Sequence, residues 1–144
     1  MKILYHTEAT ATGGREGHVT SSDGTLDLQL ALPKELGGPG GPGTNPEQLF
    51  AAGFSGCFDN AMLLVARRMK LSTSGARVTA KVGLGMFEAG RFAMEVELLI
   101  TLPELEQTEA QALVDATHKV CPFSNAVAGN IDVTLTVVPP SDVL

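Results

Sequence analysis

Basic residues are too few and too scattered in this chain to hold a nucleic acid. Ten Lys and Arg stand against sixteen Asp and Glu, for a net charge of -6, and no Lys/Arg cluster offers a phosphate-binding face. Long uninterrupted apolar runs are also missing. Asp59 and Asn60 break one stretch, and Glu95 and Glu97 another, so no segment is expected to span a bilayer. The opening MKILYHTEAT turns polar too soon for a signal peptide. Cysteine is scarce: Cys57 and Cys121 are the two present, too far apart for a CxxC motif. His118 and Cys121 alone leave a metal site two ligands short, and His6 and His18 form no recognised spacing. These absences point to a soluble cytoplasmic protein without metal, where a permanent disulfide would be unusual and a transient redox one would not.

What is present suits one domain over residues 1–144, with a single moderate core. The first thirty or so residues alternate in short runs, LYHTEATA, GHVTSS and TLDLQLAL, separated by Gly13, Gly14, Asp23 and Gly24; they read as hairpin strands. Residues 33–43, with GGPGGPG at their centre, read as one exposed loop rather than helix or sheet. Thr44 or Asn45 then caps a helix, Pro46 presets its first turn, and Glu47 suits the positive end of its dipole. Apolar residues at Leu49, Phe50, Gly53, Phe54, Cys57, Phe58, Ala61, Leu64 and Val65 carry that helix to about residue 70. Its small residues, among them Gly53 and Gly56, permit close approach of a backbone or ligand. Residues 77–86 and 92–102 read as strands about a turn at 88–90, and 108–120 as a second helix with Ala112, Leu113, Ala116 and Val120 inward, ended or kinked at Pro122. Residues 131–138 read as a closing strand. Strands, long helix, strands, helix, strand make an α+β protein with antiparallel sheet.

The two cysteines, each on a helical pattern, are the candidate chemistry. A thiol reacts as its thiolate, which calls for a nearby cation or helix N-terminus and for access. Cys57 lies about three turns inside its helix, beyond strong influence of the dipole, so a separate cation is needed. Arg15, in the glycine-flanked turn GGREG, is the candidate, with Glu47 as the carboxylate that fixes it. Glu47 precedes Cys57 by ten residues, roughly 15 Å of helix axis. From pattern alone Cys57 better fits a small buried hydrophobe, and Arg15 and Glu47 a surface turn residue and a helix-start carboxylate.

TNPEQLFAAGFSGCF followed by VCPFSNAVAGNIDV resembles the organic hydroperoxide resistance proteins, the Ohr branch of the Ohr/OsmC superfamily. The resemblance spans essentially the whole chain, with the GGREG turn, the Gly/Pro-rich loop and the closing NIDVTLTV run included. Phe54 and Phe123 stand where these motifs often carry tyrosine, and Gly56 where alanine is common. The resemblance implies an Ohr/OsmC fold with antiparallel sheets wrapped around a long central helix in an intertwined homodimer. It implies a peroxidase without cofactor, metal or flavin, that reduces organic hydroperoxides. Cys57 would be the peroxidatic residue and Cys121 the resolving one, joined in an intrasubunit disulfide that a dithiol such as dihydrolipoamide, or a lipoylated protein, reduces. Arg15 would stabilise the thiolate and Glu47 orient the arginine. Phe50, Phe54, Phe58 and Phe123 flank the thiols in sequence, and an apolar lining would favour alkyl or fatty-acid hydroperoxides over hydrogen peroxide. An OsmC-type peroxidase, or a redox-sensing or binding protein using the same reversible disulfide, are the other classes that fit; VCPFSNA and the short C-terminus favour Ohr.

Overall fold

The computed structural model describes residues 1–139. They form two compact units, one ending at Leu49 and the other beginning at Phe50. In the first unit three short strands, β1 (Ala9–Thr12), β2 (His18–Ser21) and β3 (Asp27–Gln29), form an antiparallel sheet in sequential order. The alternating runs predict the three strands but not their bounds, since β1 takes only the end of LYHTEATA and β3 only the middle of TLDLQLAL. Between β1 and β2 the chain reverses through Gly13 and Gly14, both at positive φ, into a single 3-10 turn, Gly14–Glu16. Gly17 closes this turn, and a Cβ there would lie 1.7 Å from the Thr12 carbonyl oxygen; only glycine lets the turn fold this tightly.

Residues 33–43 are mostly exposed, as expected, but they are not wholly irregular: Lys34–Leu36 make one 3-10 turn. The base of the loop is tied. Ala31 N–H donates to Thr44 O and Thr44 N–H to Gln29 O, each at 2.9 Å, so the chain enters the long helix α1 (Pro46–Met69) from a fixed point.

In the second unit, α1 buries Phe54, Phe58, Ala61, Met62, Val65 and Ala66. These spacings of three and four residues make one helical face. Met62 is buried where the periodicity had favoured Leu64, which is 47% exposed. Length and composition alone would let α1 cross a membrane, a test that the core helix of a globular protein also passes. Its apolar face is spent on the protein core. There it joins Val96, Leu98, Ile100 and Leu102, with Ala110, Leu113 and Val114.

β4 (Arg77–Met86) and β5 (Phe92–Thr101) form the expected antiparallel hairpin, paired from Arg77↔Thr101 to Met86↔Phe92. On β5, buried Val96, Leu98 and Ile100 alternate with Glu95, Glu97 and Leu99, the period of two that a half-buried strand requires. β6 (Val133–Val138) begins two residues later than expected and pairs with β5 in parallel, Val96↔Val133 through Thr101↔Val138. The second sheet is therefore mixed, not antiparallel. The cause is the connection: a parallel neighbour needs a crossover, and α2 (Gln107–Val120) with α3 (Pro122–Val127) supplies it. α2 buries Ala110, Leu113, Val114 and Thr117, while Ala112 and Val120 are exposed, so its inward face is rotated from the expected one.

Cys121 is not helical. It sits between α2 and α3 at φ -64° and ψ 124°, the extended conformation that a following proline imposes. Pro122 does end the first helix, and it also starts a second one that periodicity could not reveal in six residues.

Candidate functional site

The first unit builds an ion pair. Arg15 projects from the 3-10 turn and grips Glu47 with both guanidinium nitrogens, Nη1 to Oε2 at 2.8 Å and Nη2 to Oε1 at 2.6 Å. This is the fork geometry that arginine makes with carboxylates. Their side chains are 35% and 17% exposed. The hydrogen bond from Arg15 holds the Glu47 carboxyl below the ordinary carboxylate range, and the same bond raises Arg15. The Glu47 backbone N–H also favours its ionised carboxylate, and the next amide of the helix start is capped separately. Asn45 Oδ1 accepts from Gln48 N–H at 2.8 Å, and the Thr44 hydroxyl donates to Gln48 Oε1 at 2.8 Å. Of the two cap candidates, Asn45 is the one used.

The second unit brings the two thiols together across a separation of more than sixty residues. Both are free; Cys57 is half-buried on α1 and Cys121 fully buried at the α2/α3 junction. Burial pushes the Cys57 thiol above its ordinary range. The Phe123 backbone N–H, hydrogen-bonded to Cys57, acts against that, whereas the charge and the side-chain hydrogen bond of Cys121 add to it. Phe123 is the second residue of α3, whose junction residue provides no side-chain cap, so its amide is one of the free donors of a helix start. The cation that a reactive thiolate calls for is not among the groups acting on Cys57 in the described residues.

Cys57 faces a cavity of about 290 Å³ lined also by Asn60, Leu64, Arg68, Val120 and Pro122. None of the four phenylalanines expected to bind substrate lines that cavity; Phe50, Phe54 and Phe123 instead pack on one another as a triad with ring centroids 5.5 to 6.2 Å apart. Two of its contacts are edge-on, the arrangement that the ring quadrupoles favour. Phe54 is fully buried, and so is Phe58, which belongs to the core but makes no ring pair with the other three. Gly53 makes room for Phe123: a Cβ there would lie 2.9 Å from Phe123 Cζ. Gly56, read from sequence in the same way, has open space around it. Among the described residues no three His, Cys, Asp or Glu side chains gather as a metal site. His118 instead hydrogen-bonds Ser124, Nδ1 to Oγ at 2.9 Å. A larger cavity of about 600 Å³, at Leu84, Phe87, Arg91, Met94 and Asp132, contains neither thiol.

Sequence reasoning missed the Phe123 amide and the His118–Ser124 bond, both of which depend on α3. The available signal was Pro122 itself, since proline is favoured at the first position of a helix.

Two three-stranded sheets, one long helix and a thiol pair at its flank define an α+β dithiol protein. The chain belongs to the OsmC-like protein family, whose family model matches residues 38–136, and within it to the organic hydroperoxide resistance branch. It is 55% identical over 136 residues to the organic hydroperoxide resistance protein of Xanthomonas axonopodis pv. citri (strain 306), covering 94% of this chain and 95% of that one. The crystal structure of an organic hydroperoxide resistance protein from Elizabethkingia anophelis superposes with a TM-score of 0.91 at 52% identity, over 96% of this chain and 99% of that one. OhrB of Bacillus subtilis, an organic hydroperoxide resistance protein, gives 0.86 at 40% identity, over 94% and 100%. The α+β Ohr/OsmC fold expected from the motifs is the fold observed.

Proposed function

We propose that the protein detoxifies organic hydroperoxides as a thiol peroxidase, with Cys57 as the nucleophile. The observation that carries this reading is the contact between a cavity-facing thiol and a buried one. Cys57 thiolate attacks one oxygen of ROOH; the O–O bond breaks, the alcohol leaves with a proton, and Cys57 becomes a sulfenic acid. Cys121 then attacks that sulfur: the S–S bond forms, the S–O bond breaks, and water leaves with the Cys121 proton. A dithiol such as dihydrolipoamide, free or on a lipoylated protein, returns both thiols.

Because burial raises the Cys57 thiol, thiolate formation needs positive charge. The Phe123 amide contributes a partial one, and Arg15, oriented by Glu47, is assigned the remainder. Phe50, Phe54 and Phe123, backed by Phe58, are assigned the apolar wall that favours alkyl and fatty-acid hydroperoxides over hydrogen peroxide. The family resemblance supports an intertwined homodimer, in the cytoplasm, with the whole chain as one functional domain.

The test is turnover of an organic hydroperoxide and of hydrogen peroxide with dihydrolipoamide, for wild type and Cys57→Ser. Rapid Cys57-dependent consumption that favours the organic substrate is the expected result. A folded protein with free thiols and no turnover would overturn the reading in favour of a sensor or binding role.

A further inference from the structure

His118 takes part in none of the steps above, yet its bond to Ser124 spans the residue that does. His118 lies three residues before Cys121 on the last turn of α2, and Ser124 three residues after it on the first turn of α3. Their 2.9 Å bond therefore closes a ring around the non-helical junction. Ser124 is 3% exposed and Cys121 fully buried, so the bond lies in packed surroundings where few substitutes are at hand. The backbone holds each half separately: Cys121 N–H donates to Thr117 O, and Asn125 N–H to Cys121 O, at 2.9 and 3.0 Å. Neither bond fixes the angle at which α3 leaves α2. Proline prevents Cys121 from being held helically, and the side-chain bond is what spans the bend.

We propose that His118 and Ser124 are positioning residues that hold the Cys121 thiol at Cys57 for the resolving step. A disulfide demands Cβ atoms about 3.8 Å apart and a narrow dihedral range, so the rate at which Cys121 captures the oxidised sulfur depends on how closely the bend is held. The Phe123 amide is secured differently, by its ring in the space at Gly53. Loss of the clamp therefore slows resolution and spares the first oxidation of Cys57. The sulfenic acid then lives longer and is carried to sulfinic acid by excess hydroperoxide. The kinetic part rests on the peroxidase reading; disulfide closure itself does not.

The experiment follows single-turnover oxidation of the reduced full-length protein by tert-butyl hydroperoxide and, separately, by the thiol oxidant diamide. Free thiol, dimedone-trapped sulfenic acid and intramolecular disulfide are read by quenched mass spectrometry. Ser124→Ala and His118→Ala are expected to form the disulfide about tenfold more slowly with either oxidant. Cys57 oxidation by the hydroperoxide stays within about twofold of wild type, and the double variant is no slower than either single one. His118→Asn, whose amide reaches the position of Nδ1, restores the rate. Wild-type disulfide formation in Ser124→Ala, equal slowing of both steps, or failure of His118→Asn to rescue would each overturn the proposal. If Ser124→Ala fails to fold, the two His118 variants decide it. If wild type answers diamide but not hydroperoxide, the peroxidase reading falls and the diamide arm still judges the clamp.

Discussion

Two helix starts in this protein share a plan, a non-helical residue followed by proline, and are used in opposite ways. At α1 the order is Asn45, Pro46, Glu47; Asn45 caps the Gln48 amide and Glu47 holds Arg15. At α3 the order is Cys121, Pro122, Phe123; no side chain caps it, and the Phe123 amide turns to Cys57. A helix start supplied with its own acceptor can orient a charged pair. One without an acceptor exposes a donor, and a sulfur whose charge is disfavoured by burial is what occupies it. The difference lies in one residue, asparagine with a short acceptor side chain against cysteine with a weak one.

Removing the sulfur that the α3 amide serves has the largest expected effect. Cys57→Ser should lower hydroperoxide consumption by about three orders of magnitude, read as substrate loss with excess dithiol, while Cys121→Ser keeps the first oxidation and loses the intramolecular disulfide. Next is the pair at α1. Arg15→Gln should slow Cys57 oxidation by about a hundredfold and Glu47→Gln by about tenfold, and both should move the rise of rate with pH to higher pH; stopped-flow profiles at matched ionic strength would show it. A rate unchanged in Arg15→Gln would remove Arg15 as the aid to the thiolate and leave the α3 amide and Arg68, which lines the same cavity as Cys57.

The two starts also differ in pH response. Glu47 is depressed in the fold, so its stabilising contribution is full above the ordinary carboxylate pKa and is lost as pH falls through the folded value. Cys57 is raised, so its contribution is full below the ordinary thiol pKa and is lost as pH rises through the folded value. Denaturant titrations across pH should show an acid limb that Glu47→Gln flattens and an alkaline limb that Cys57→Ser flattens. Gly53→Ala should cost about 1–3 kcal/mol by forcing the Phe123 ring to shift, with a fall in the preference for organic over hydrogen peroxide. Smallest is Asn45→Ala, about 1 kcal/mol, which leaves α1 as uncapped as α3; turnover that fell much further than stability would mean that the cap also aims Glu47.

Much of this was legible in the sequence where the cause is local. Glycine at 13, 14 and 17 fixed the turn that carries Arg15, and the asparagine, proline and helical period placed α1 within a residue of its observed bounds. Alternation placed β4 and β5 for the same reason. The parallel pairing of β6 was not legible, because strand direction depends on what the crossover packs against and not on the alternation within the strand. Nor was α3, which is too short for a period to emerge.

The sequence by itself therefore determined the elements, the two reactive residue types, the motifs that carry the family, and the Arg15–Glu47 pairing as a possibility. Only the tertiary structure decided that Cys57 and Cys121 meet, that the Phe123 amide is the donor beside them, and that His118 reaches Ser124. Backbone propensities act over a few residues. Contacts across some sixty residues arise only when α1, β5 and α2 bury their apolar faces in one core, and the direction in which the chain leaves that core at Pro122 sets what the thiols can reach.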